Sequence, residues 1–75
     1  MDPNACLDLL LEALRESRYA DAEVHAEDLN VWLEKGGFEP RRSAEVEISQ
    51  ARVDAGHADG ECPMVDELLG RLRVE

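Results

Sequence analysis

The sequence predicts an all-α fold, a small helical bundle built on an antiparallel αα-hairpin and closed by a C-terminal helix. Three observations lead there. Apolar residues recur at helical spacing in three separate stretches. Leucine, alanine and valine dominate the apolar set, while the aromatics are limited to Tyr19, Trp32 and Phe38, a balance that suits helices better than sheets. A glycine pair followed by a proline, Gly36-Gly37 and Pro40, marks a readable helix ending near the middle of the chain.

The first helix is expected over about 3–17. Asp2 is placed to accept from the first free amides, and Pro3 fits the first helical position, where its missing N–H is harmless. Cys6, Leu7, Leu10, Leu11 and Leu14 then form a stripe, with Ala13 beside it. Leu9 lies outside that stripe and is a candidate apolar contact. Two neighbours within the chain are the favoured explanation of the wide apolar arc; a homodimer face is the other.

A polar join near residues 18–21 leads to a second helix at about 21–36. Ala22, Ala26, Leu29, Trp32 and Leu33 line one side with His25 at its edge; Glu23, Glu27, Asn30 and Glu34 line the other. The short connection implies a hairpin. With Gly37 in the left-handed position after the helix, Leu33 and Phe38 would meet in the apolar contact of a Schellman ending.

Over 43–55 the pattern is double. Ala44, Ile48, Ala51 and Ala55 fit a helix capped by Ser43 and stopped by Gly56, which is the preferred reading. Ala44, Val46 and Ile48 also alternate with Glu45, Glu47 and Ser49, as in a strand. The wider segment 41–61 is the part of the chain with most freedom to be a mobile loop. The last helix, about 63–73, carries Met64 or Val65, Leu68, Leu69 and Leu72 inward, with Arg71 and Arg73 near its C-terminus. The expected core joins these last leucines to Leu7, Leu10, Leu11, Leu14, Ala22, Ala26, Leu29, Trp32, Leu33 and Phe38.

Residues 1–75 read as a single domain, whose core is small because a chain of this size buries only about 60–65% of its unfolded surface. Cys6 and Cys62 form no Cys-x-x-Cys pair, and there is neither a leader-like basic-then-apolar start nor an apolar run of spanning length. A cytoplasmic location is therefore expected, with Cys6 packing as a small apolar residue and a Cys6–Cys62 disulfide as the lesser alternative.

The formal charge is −10, which argues against direct nucleic-acid binding and against anionic membranes. Ten carboxylates and three basic residues precede Pro40, leaving −7 of the total there. Asp8, Glu12 and Glu16 on the first helix and Glu23, Glu27 and Glu34 on the second form acidic rows opposite the apolar stripes. Such rows are a candidate docking face for a basic protein, or simply a solvated surface that keeps the chain soluble. They also allow mimicry of a nucleic-acid backbone in the basic groove of a partner.

No nucleophile–base set and no phosphate-cradling glycine loop is present, since Gly36-Gly37 ends a helix whereas phosphate loops precede one. No catalytic, cofactor or metal residue is assigned. His25 has Glu23, Glu27 and Asp28 nearby against which to titrate, or is a half-exposed surface residue. Residues 54–62 gather Asp54, His57, Asp59, Glu61 and Cys62 in a glycine-containing loop. That loop is an alternative metal site, although it lacks a second ligand pair for zinc and the first and last carboxylates of a calcium loop.

Tyr19, Ala22, Ala26 and Leu29 are spaced as in Y-x-x-A-x-x-x-A-x-x-L and resemble the second half of a tetratricopeptide repeat, which implies a helical hairpin. Asp2-Pro3-Asn4-Ala5 together with Trp32 to Pro40, WLEKGGFEP, resembles a group of small, acidic, uncharacterised bacterial and phage-borne proteins. This resemblance covers about the first forty residues, implies a small helical cytoplasmic protein and carries over no functional residue. The function expected from the whole is a non-enzymatic protein–protein interaction module, monomeric or homodimeric.

Overall fold

The structure is a computed structural model that describes residues 2–56 and 62–72. It contains four helices and, among the described residues, no strand: α1 (Pro3–Arg15), α2 (Tyr19–Glu34), α3 (Ala44–Asp54) and α4 (Pro63–Leu72). The most extensive packing joins α1 to α2; α3 lies against α1, α4 against α2, and α3 also touches α4. The two later helices therefore close the hairpin from two sides.

The Asp2 carboxylate accepts from the amides of Asn4 (2.9 Å) and Ala5 (3.4 Å), with Pro3 at the start of α1. The helix ends earlier than 17, because Ser17 takes φ +58 and closes a Schellman turn. The Arg18 amide donates to the Ala13 carbonyl at 2.8 Å, and that of Ser17 to Leu14 at 3.1 Å. A serine in left-handed backbone thus makes the corner, and α2 begins at Tyr19, two residues before the expected start.

At the end of α2 the Schellman turn forms one residue earlier than expected. Gly36, at φ +85, occupies the left-handed position; the Gly37 amide donates to Trp32 at 2.9 Å and that of Gly36 to Leu33 at 3.0 Å. The contact across the turn is then Trp32 with Gly37, where a Cβ would overlap the indole ring. The Trp32 indole N–H donates to the Phe38 carbonyl at 2.8 Å. Phe38 and Trp32, both expected in the core, lie outside it: Phe38 is 82% exposed, and Trp32 is half-buried against the turn at Gly37.

The open segment resolves as helix over Ala44–Asp54: Ala44, Ile48 and Ala51 face inward, whereas Val46, which a strand would bury, is 67% exposed. Gly56 ends α3 with φ +68. Ser43 precedes α3, but its hydroxyl donates to Glu47 (2.8 Å) and caps no amide.

The core holds Leu7, Leu10, Leu11, Leu14, Ala22, Ala26, Leu29, Leu68 and Leu69 as expected, together with Cys6, Ala13, Ala44, Ile48, Ala51, Cys62 and Val65. Leu33 and Leu72 pack at its margin. No disulfide joins the two buried cysteines. Helix α1 meets two neighbours within the chain without using Leu9, which is 51% exposed.

Asn30, expected on the outer face of α2, is 2% exposed. Its side-chain amide donates to the Met64 carbonyl at 2.9 Å, and the Glu23 carboxylate accepts from the Met64 amide at 2.9 Å. Glu23 and Asn30 are two helical turns apart on one face of α2, so together they grip the first turn of α4. Arg52, also buried, reaches Asp66 at 2.9 Å and ties α3 to α4.

Candidate functional site

The six acidic candidates divide by what holds them. Asp8, Glu12 and Glu16 follow one another at four-residue steps along one face of α1. Together with Leu11, Arg15, Arg41 and Glu47 they line an open groove of about 360 Å³ between α1 and the start of α3. Their side chains are 66%, 61% and 56% exposed.

Two arginines organise this groove. Arg41 precedes α3; its backbone amide donates to Asn4 Oδ1 at 2.8 Å, which anchors it beside the N-terminus of α1. Its guanidinium grips Glu47 through two bonds of 2.7 and 2.9 Å and reaches Asp8 at 2.9 Å. The hydrogen bonds from Arg41, then from Ser43, hold the Glu47 carboxyl below the usual glutamate range. The same bonds, to Glu47 first and Asp8 second, push Arg41 up, so it stays charged at any ordinary pH. At the other end Arg18 bridges Glu16 (3.0 Å), Asp21 (3.0 Å) and Glu12 (3.4 Å).

The α2 candidates do not extend this row. Glu23 is occupied with the Met64 amide, and Glu34 lies 3.7 Å from Arg71. Glu27 is exposed and has no ion pair among the described residues.

The 54–62 loop lies mostly outside the described residues, at 57–61. At its two ends, the Asp54 carboxylate accepts from Gln50 at 3.0 Å and Cys62 is fully buried.

A different cluster, not anticipated from the sequence, forms where α1 meets α2. One ligand atom each from Cys6, His25 and Asp28 lies within 4.8 Å of the others; the three are buried, half-buried and exposed respectively. The Cys6 thiol donates to the His25 backbone carbonyl at 3.5 Å. Burial, and then the Asp28 carboxylate, push that thiol up from its ordinary value. Nucleophilic use of Cys6 is therefore disfavoured, because the thiolate is the reactive form. The signal in the sequence was the one-turn spacing of His25 and Asp28; what it lacked was the register that sets Cys6 opposite them.

No family model matches the chain, and no curated protein or solved structure is significantly similar to it. Any reading of the site rests on its own chemistry. No helix among the described residues is long and apolar enough to cross a membrane.

Proposed function

We propose that the chain is a non-enzymatic interaction module that docks a basic segment of a partner protein in the α1–α3 groove. The observation that carries this is the exposed row Asp8, Glu12 and Glu16, which shares one groove with Glu47 of α3. Lysine or arginine side chains of a partner would meet Glu12 and Glu16 on α1, beside the Asp8–Arg41–Glu47 clamp. Exposed ion pairs are individually worth about 0–1 kcal/mol, so an incoming cation displaces Arg18 from Glu12 and Glu16 at little cost.

The placement of Arg18 and Arg41 on the same row favours a protein partner over mimicry of a phosphate backbone. A mimic needs an unbroken run of negative charge, and each arginine interrupts it.

The test is binding of a lysine- and arginine-rich peptide, measured by fluorescence anisotropy across a salt series. Two variants with the same change in net charge are compared: Asp8→Asn/Glu12→Gln/Glu16→Gln on α1, and Glu27→Gln/Glu34→Gln/Glu67→Gln elsewhere. The expected result is binding that weakens steeply with salt and is lost only in the α1 variant. Equal loss in both variants would reduce the effect to net charge, and no binding at low salt would end the proposal.

A further inference from the structure

His25 and Asp28 stand one turn apart on α2, so their side chains leave the same face of the helix. Cys6, in the first two turns of α1, is brought over that face by the hairpin, and its bond to the His25 carbonyl fixes the sulfur beside the imidazole. Sulfur, imidazole nitrogen and carboxylate oxygen converge to within 4.8 Å. We propose that Cys6, His25 and Asp28 form a binding site for a divalent transition-metal ion of the zinc class. The fourth position is left to water. This site is separate from the 54–62 loop and independent of the acidic groove.

The donor set decides the class of ion. One thiolate, one imidazole and one carboxylate is a borderline-soft combination that suits zinc and its chemical neighbours, and is wrong for magnesium or calcium, which take oxygen ligands. Facing helices that each contribute inward ligands are a common way for bundles to build metal sites. Bonds of about 2.0–2.3 Å place tetrahedral ligand atoms about 3.3–3.8 Å apart. Closing from 4.8 Å therefore needs movements of about 1 Å. The exposed Asp28 and half-buried His25 have the freedom to make them by side-chain rotation.

Charge balances as well. Binding replaces the thiol proton of Cys6, which passes to solvent, and the resulting thiolate with the Asp28 carboxylate neutralises the dication. The exposure of Asp28 gives the ion a path from solvent.

The experiment is titration of the full, reduced chain with Co²⁺ alone, followed by the thiolate-to-cobalt absorption band and by calorimetry. The expected result is a band that saturates at one ion per chain, is lost in Cys6→Ser and in His25→Ala, and persists in Cys62→Ser. Asp28→Asn, at an exposed position that leaves the core intact, is expected to weaken binding about tenfold or more. Absence of the band in the unmodified chain overturns the proposal. So does a band that survives Cys6→Ser, one lost only in Cys62→Ser, or unchanged affinity in Asp28→Asn. The last readout holds even if the Cys6 and His25 variants fail to fold.

Discussion

Asn30→Asp changes one atom type at the position where α4 is held to the hairpin. In the native chain the buried Asn30 side chain donates to the Met64 carbonyl at 2.9 Å, while its own Oδ1 has no hydrogen-bond partner. An ionised aspartate there loses the donor, points an anion at a carbonyl oxygen, and sits near the Glu23 carboxylate that binds the Met64 amide. An uncompensated buried charge costs about 3–5 kcal/mol, against a total stability of roughly 4–11 kcal/mol for a chain of this length. The folded-state pKa of the new carboxyl is raised. Its penalty is therefore absent below the unfolded value of about 3.9, and grows by about 1.4 kcal/mol per pH unit above it. A penalty of about 3–4 kcal/mol is reached only when the folded pKa is about 6–7. Urea denaturation followed by helix circular dichroism, on variant and unmodified chain at pH 7 and pH 4, reads this directly. The variant should be less stable than the unmodified chain by about 3–4 kcal/mol at pH 7 and close to it at pH 4, where the protonated carboxyl can again donate to Met64. A difference below about 0.5 kcal/mol at pH 7, within the range of an ordinary surface change, would refute the role given to Asn30.

Ser17→Gly should raise the melting temperature by about 2–8 °C, because it relieves a left-handed serine at φ +58 for a gain of about 0.5–1 kcal/mol; a lower melting temperature would contradict the corner as described. Gly37→Ala forces a Cβ into the Trp32 ring and should cost about 1 kcal/mol. Trp32 is the only tryptophan, so its emission should shift to the red as the indole leaves the turn, and unchanged emission would count against the contact. Glu47→Gln should destabilise the chain by about 1 kcal/mol at neutral pH, because it removes the charge and one of the two oxygens that accept from Arg41. Because the Glu47 pKa is lowered on folding, its contribution is present above the unfolded value of about 4.3 and lost as pH falls through the folded value. The gap between variant and unmodified chain should therefore narrow in acid titrations monitored by denaturation.

What was legible in the sequence is what short-range physics decides. Asp2-Pro3 starts α1 through capping and a tolerated missing amide, and the leucine stripe from Leu7 to Leu14 can face only one way. The two adjacent glycines defeated the register of the second ending. Both lack a Cβ, so either could take the left-handed position; it falls to Gly36, with Trp32 packed over Gly37. Phe38 lies at the surface and not in the core. Asn30 and Glu23 read as outer-face polar residues because their partner, the Met64 backbone, is more than thirty residues away and is an amide of an incoming helix end. The same limit hid the Cys6–His25–Asp28 cluster, which depends on how far α1 slides along α2. The acidic row on α1 was visible from four-residue spacing alone, whereas its arginine clamps were not, since Arg41 arrives from beyond Pro40.

The most direct measurement of the docking proposal is a two-dimensional ¹H–¹⁵N spectrum of the labelled chain titrated with the basic peptide at low salt. The amide shifts should move first and furthest at Asp8, Leu11, Glu12, Arg15, Glu16, Arg41 and Glu47, the residues that line the α1–α3 groove. Shifts centred on α2 and α4, or spread evenly over the acidic surface, would contradict a groove-directed site.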